Sequence, residues 1–317
     1  MGDKNLIIFD TDMDTDCDDA GAYAMLLEAL HQGKIELLGV IADSVCKYSA
    51  PCCEYIADYY GVHLPIGTVF ADDYKVSPAE LERFSDYRKH SKNCLDKGRS
   101  YNYVFAESIN KTDVDYPSAV EVYRKLLSSA EDNSVTVLCV GMLTAIAETL
   151  ASQSDEICPL NGLELFKRKV KHVITMGNPD KVNDFNWGKD AVASKHFFDL
   201  CPCEIIVSAE GTNVLTGDNL SSALDENHPL RKAYEIWLQG PNRSRSSWDL
   251  VATLYAINPD TPLLQCNDIG NGCYDAHEKL FCKTETEQKK IKQIFLNCKP
   301  EIMAETLNRC MLGSFEF

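Results

Sequence analysis

Short apolar runs alternate with helix-period stretches along most of this chain, and no other feature limits the possible folds as much. Leu6-Ile7-Ile8-Phe9 reads as a buried strand. Over residues 19–32 the apolar side chains Ala22, Met25, Leu26, Ala29 and Leu30 fall at helical spacing, and Gly33 closes the helix. Residues 35–42 read as a second strand, 50–60 as a second helix closed by Gly61, and 64–69 as a third strand. Strand–helix–strand order predicts parallel strands joined by right-handed crossovers, because parallel neighbours need a long connection. Residues 71–115 break the rhythm. They are polar and poorly periodic, and read as an insertion or lid, since long loops in compact domains are usually functional. The alternation then resumes, with helices expected at 117–130, 143–151, 190–200, 229–239 and 247–257. Strands are expected at 135–140, 170–176 and 205–208. A hairpin within 265–282 and a last helix from about Glu285 complete the pattern. No repeat or Pro/Gly-rich linker divides the chain. The expectation is one α/β domain over 1–317, an open Rossmann-like fold with a mainly parallel central sheet and helices on both faces.

The 317 residues are 45% hydrophobic and 25% charged, enough to bury a full core. Lys plus Arg number 31 and Asp plus Glu 48, a net charge of −17. Such a surface repels phosphate backbones and anionic lipid, which argues against nucleic acid or membrane partners. No apolar run approaches the roughly 18 residues of a membrane span. Met1-Gly2-Asp3-Lys4 leads into an apolar run too short for a signal peptide. The fourteen cysteines therefore read as reduced thiols of a cytoplasmic protein, and neither Cys52-Cys53 nor Cys201-Pro202-Cys203 has the paired spacing of a zinc site.

Where the first strand gives way to the first helix, Asp10, Asp12, Asp14, Asp16, Asp18 and Asp19 place six carboxylates within ten residues. Ligands of open α/β sheets bind at that carboxyl edge. Six anions so close need compensation, from the positive helix end and from a divalent cation. Oxygen-only ligands point to Ca²⁺ or Mg²⁺, not zinc. An EF-hand is excluded: Thr15 stands where its Gly is needed, Gly21 where its Glu is needed, and a strand precedes the loop.

These residues resemble the opening of the inosine-uridine preferring nucleoside hydrolase family: a strand, Asp-x-Asp, a short turn, then Asp-Asp-Ala and a helix. The matching positions are Asp10, Asp12, Asp18, Asp19 and Ala20, and the turn is two residues longer than in the best-known members. It is similar to a divergent branch in which Gly usually stands at the position of Asp14. Three later segments agree in order. Val135 to Thr144 is similar to the strand and turn whose backbone carbonyl, here that of Val140, binds the metal. Met176-Gly177-Asn178 with Asp184-Phe185-Asn186 is similar to the segment that grips the sugar, Asp184 replacing the usual Glu. Ser247-Trp248-Asp249-Leu250 is similar to the final segment, whose Asp closes the metal shell.

The resemblance implies hydrolysis of the N-glycosidic bond of ribonucleosides to ribose and free base, with a homodimer or homotetramer and a small-molecule nucleoside as partner. It implies Ca²⁺ held by Asp12, Asp19, Asp249 and the Val140 carbonyl, with Asp12 also the general base. Asp16 is an open alternative to Asp18 or Asp19. Ribose falls to Asp18, Asn178, Asp184 and Asn186, with Asn183 a rival for Asn178. Well-known members carry His before the last Asp; this chain has Trp248, as purine-preferring members do, and stacking there implies a purine preference. Two other readings stand beside it. One is a catalytically silent calcium- or nucleoside-binding homologue. The other is a phosphatase of the haloacid dehalogenase type, which Phe9-Asp10-Thr11-Asp12 fits but which leaves Asp18, Asp19 and Asp249 unexplained.

Overall fold

The computed structural model describes residues 4–44, 46–69, 100–284 and 291–316. Strands β1 (Asn5–Thr11), β2 (Ile35–Ala42) and β3 (Ile66–Thr68) step outward from the middle of a nine-stranded sheet. The chain then crosses to the other flank of β1 and adds β4 (Val135–Cys139), β5 (Val170–Met176) and β6 (Glu204–Ser208). All six are parallel to their neighbours. β7 (Leu215–Thr216) and β8 (Arg245–Ser246) form a separate antiparallel ribbon. β9 (Leu264–Asp275) and β10 (Leu280–Thr284) are an antiparallel hairpin, and β11 (Ile291–Leu296) joins that hairpin to β6. The order is β10-β9-β11-β6-β5-β4-β1-β2-β3.

The direction of strand addition reverses between β1 and β4. Connections leaving the two strands diverge to opposite faces there, which opens a crevice at their carboxyl ends. The middle of β1, Leu6 to Phe9, is an unbroken apolar run because both faces are covered: Ile7 and Phe9 enter one hydrophobic layer and Ile8 the other. Helices Asp18–His31, Ser49–Tyr59, Trp248–Ile257 and Pro300–Cys310 pack in the first layer, through Leu26, Ile56, Leu250 and Met303. Helices Ala119–Ser129, Thr144–Ala151 and Ala191–Leu200 pack in the second, through Tyr123, Ile146 and Phe197. The α/β expectation holds.

Two expectations need correction. A last helix was expected from about Glu285. Instead Ile291, Ile294 and Leu296 belong to β11, and the last helix starts at Pro300, where a ring-fixed φ and a missing N–H suit the first turn. Of the 71–115 segment, residues 71–99 lie outside the described residues. The remainder is not an irregular loop: it holds the helix Tyr101–Ile109, which Ser100 caps by accepting from the Tyr103 N–H, and a short 3-10 turn at Asp113–Asp115. Among the described residues every cysteine is a free thiol, and no helix is long and apolar enough to cross a membrane.

Candidate active site

The acidic turn after β1 is tightly folded. Thr15 donates to the Asp12 carbonyl from both its N–H (3.0 Å) and its hydroxyl (2.6 Å). Asp14 takes a left-handed conformation, φ +77°, which Asp tolerates better than most side chains. Its carboxylate accepts from the Ser100 hydroxyl (2.5 Å) and the Tyr101 N–H (3.1 Å), at the start of helix Tyr101–Ile109. The Tyr101 hydroxyl in turn accepts from the Asp14 N–H (2.9 Å) and donates to the Asp16 carbonyl (2.6 Å). Asn102 donates to the Met13 carbonyl at 2.8 Å. The lengthened turn is thus held by a segment almost ninety positions later in the sequence.

Asp18 and Asp19 occupy the first turn of helix Asp18–His31, and Asp249 the first turn of helix Trp248–Ile257. Both helices aim their positive ends at one place. The Asp249 N–H donates to Asp18 Oδ2 at 3.2 Å, and one oxygen from each of Asp18, Asp19 and Asp249 lies within 4.8 Å of the others. The Thr11 hydroxyl donates to Asp19. Asp12 lines the same cavity, and its Oδ2 is buried with no hydrogen-bond partner. Asp16 is taken elsewhere. Its carboxylate pairs with Arg245 through Nε (2.8 and 3.0 Å) and Nη2 (2.5 Å), which disfavours its standing in for Asp18 or Asp19.

Burial, with further repulsion from Asp16, pushes the Asp12 carboxyl up to about 7. Burial first, and then neighbouring carboxylates, raises Asp18, Asp19 and Asp249 well above the usual range. A cation among them would reverse that trend. The donor set is hard oxygen throughout, and the orphaned Asp12 Oδ2 needs a partner, so the residues fit a divalent ion such as Ca²⁺.

Across the crevice, the loop after β4 presses on the acidic turn: a Cβ on Gly141 would lie 2.5 Å from the Asp12 nitrogen. Val140 precedes that glycine, and its carbonyl accepts from Asn186 Nδ2 at 2.6 Å; a carbonyl keeps a second lone pair for another partner. Asp12, Asp18, Asp19, Asn178, Asp184, Asn186, Trp248 and Asp249 all line one cavity of about 530 Å³. Volumes between roughly 300 and 1,000 Å³ suit small ligands. Asp184 Oδ1 is buried without a hydrogen-bond partner, and burial raises its carboxyl. Asn183 does not line the cavity. It sits at φ +51°, and its N–H donates to the Lys279 carbonyl (2.7 Å) at the tip of the β9–β10 hairpin.

Trp248 is half-buried at the cavity wall, not packed in the core. Its Nε1 donates to Thr212 Oγ1 at 3.0 Å, and the Arg245 guanidinium lies 5.3 Å from its ring centroid. Gly211 makes this approach possible: φ is +131° there, and a Cβ would lie 2.5 Å from the Trp248 Cα. Trp187, by contrast, is fully buried against Phe198 and donates to Thr175 Oγ1 at 3.2 Å. Sequence reasoning missed Arg245, Thr212, Trp237 and Lys181, which also line the cavity. Nothing in one-dimensional spacing marks them: Arg245 comes in on the β7–β8 ribbon, Thr212 on the turn before it, Trp237 on the helix Pro229–Leu238, and Lys181 on the loop between Asn178 and Asp184.

The model of the family described as inosine-uridine preferring nucleoside hydrolase matches residues 7–296. No curated protein matches the chain significantly. Among solved structures, the inosine-uridine preferring nucleoside hydrolase of Bacillus anthracis superimposes with a TM-score of 0.65 at 16% identity, covering 98% of this chain and 100% of that one. An inosine-guanosine nucleoside hydrolase gives 0.64 at 17%, covering 98% of each chain. The type III effector XopQ, solved with adenosine diphosphate ribose, gives 0.68 at 13%, covering 99% of this chain and 94% of its own. At these identities the structural likeness carries the fold; the family match carries membership.

Proposed function

Since this chain belongs to the inosine-uridine preferring nucleoside hydrolase family and is an N-glycosyl hydrolase, we propose that it cleaves ribonucleosides, purine nucleosides by preference, with Ca²⁺ as its metal. One observation carries the reading: carboxylates near residues 12–19 and at 249 meet the Asn178–Asn186 segment and Trp248 around a single nucleoside-sized cavity. Asp19, Asp249, Asp12 and the Val140 carbonyl would hold the ion. When bound, it supplies a fixed charge that orients a water and lowers its pKa. Asp12, with its unsatisfied oxygen, takes the water's proton. Asp18 accepts from the Asp249 N–H through Oδ2 and offers Oδ1 to a ribose hydroxyl. Asn178, Asp184 and Asn186 grip the rest of the sugar, and buried carboxylates beside the ring stabilise the positive charge that grows there. Trp248 and Trp237 supply flat apolar surface for a purine.

We read the chain as one unit over 1–317 that works in the cytoplasm as a homodimer or homotetramer, as the family likeness implies. The test is a turnover panel of inosine, adenosine, guanosine, uridine and cytidine, with Asp12→Ala run alongside. The expected result is free base and ribose from purine nucleosides, and a loss of at least about 100-fold in kcat for the variant with its fold intact. A wild-type chain that binds nucleosides but releases no base would identify a silent homologue. Unchanged turnover in Asp12→Ala would remove Asp12 as base.

A further inference from the structure

Cleaving an N-glycosidic bond leaves a pair of electrons on the base nitrogen, and something must stabilise it. Among the described residues that line the cavity there is no His, Tyr or Cys to act as an acid on the base. Two cations line it. Lys181 sits in the segment between Asn178 and Asp184, on the sugar side, and Arg245 shares a wall with Trp248.

Resting on the hydrolase reading above, we propose that Arg245 stabilises the departing base as an anion, in place of an acid that would protonate it. Asp16 spends only one edge of the guanidinium, Nε and Nη2, and thereby fixes its orientation. Nη1 has no hydrogen-bond partner among the described residues. Trp248 Nε1 is already given to Thr212, so the indole has no donor left for a base. Arg245 lines the cavity beside Trp248, so a base held against that wall lies within reach of the guanidinium edge that Asp16 leaves unspent. A guanidinium does not lose its proton in proteins, so it can pair with a ring nitrogen or an exocyclic carbonyl oxygen of the leaving base but cannot protonate it. The step balances as follows. The water oxygen bonds to the anomeric carbon, and its proton passes to Asp12. The glycosidic electron pair goes to the base, which leaves as an anion beside Arg245. The base then takes a proton from solvent, and Asp12 returns its own.

The experiment compares wild type, Arg245→Met and Arg245→Lys on two substrates: the nucleoside turned over fastest, and p-nitrophenyl β-D-ribofuranoside, whose phenolate leaves without help. In Arg245→Met the ratio of kcat/KM for nucleoside to that for the nitrophenyl riboside falls by about 100-fold, the usual cost of losing one preorganised donor. Arg245→Lys recovers part of it. Equal losses on both substrates overturn the proposal, because Arg245 then only supports the Asp16 turn; so does unchanged nucleoside turnover. Should Arg245→Met fail to fold by circular dichroism, Arg245→Gln takes its place in the same ratio. Cleavage of the nitrophenyl riboside but of no nucleoside by wild type overturns the role of Arg245. A wild type inert to both overturns the hydrolase reading and this inference with it.

Discussion

Asp14 carries two burdens at once. It holds a left-handed backbone where a Gly would be relaxed, and its carboxylate ties the acidic turn to the first residues of helix Tyr101–Ile109. An Ala there fits the left-handed backbone less well than Asp does and loses the bonds to Ser100 and Tyr101. Asp14→Ala should therefore lower stability by about 2 kcal/mol, from roughly 1 kcal/mol of lost capping and a similar backbone cost. Asp14→Gly loses the bonds but relaxes the backbone, and should cost less. Urea titration of the two variants orders them; an Asp14→Gly as unstable as Asp14→Ala would show that the backbone is not strained. The sequence placed an Asp at this position without a reason for it, since the reason is a hydroxyl and an N–H at 100 and 101. Asp16 likewise stood as an open alternative to Asp18 or Asp19, and what decides against it is its partner Arg245, 229 residues away.

At the scale of elements, most of the sheet was legible. β2 and β5 match their expected bounds to the residue, because β-branched and apolar residues dominate 37–42 and 173–176 and helical segments flank both strands. The error at β11 shows how little separates a strand from a helix locally. Lys292 and Gln293 interrupt it much as Lys171 and His172 interrupt β5, and its identity comes from pairing with β6 and β9, which no local window contains. Helix Gly162–Lys169 also went unseen: Asn161 and Glu164 cap it reciprocally, but it is short and mostly polar. Neighbouring strands carry a testable proton linkage. His172 on β5 sits opposite Thr136 on β4, with its Nε2 3.1 Å from the hydroxyl. Burial first, then Lys171 nearby, pulls its pKa down to about 4, despite Glu204 on β6. The folded chain thus stays unprotonated while the unfolded chain, with an ordinary value near 6.5, takes up a proton. Its stability contribution is complete above about 6.5 and is lost as pH falls towards 4. Replacing His172 with Gln should flatten the melting temperature over that window. An unchanged pH slope in the variant would place the titration elsewhere.

The whole molecule brings Asp12, Asp18, Asp19 and Asp249 together inside a folded interior, and only the folded chain does so. A ligand that binds the native state alone stabilises it by mass action, about 2.7 kcal/mol at a concentration one hundred times its Kd. After stripping with a chelator, saturating Ca²⁺ should raise the melting temperature by about 5 °C, and Asp249→Asn should abolish the rise. Scanning fluorimetry checks both; a melting curve indifferent to Ca²⁺ in the wild type would remove the ion from the proposed site. The sequence foretold this cluster because all its members lie in two short motifs. It did not foretell the rest of the wall around Trp248, where Arg245 and Thr212 arrive through a ribbon and the turn before it, and Trp237 from a helix whose pattern does not say which residue reaches the cavity.

The bond from Asp249 to Asp18 and the pair from Arg245 to Asp16 join segments 231 and 229 residues apart. During synthesis the acidic turn leaves the ribosome well before its counterparts and waits for 229 further residues to emerge. Closing a loop of that length is slow and entropically late. Capture of the proposed ion therefore waits until the segment around Asp249 has docked, and a product terminated before it keeps the first strand and its six carboxylates yet has no hollow in which to use them.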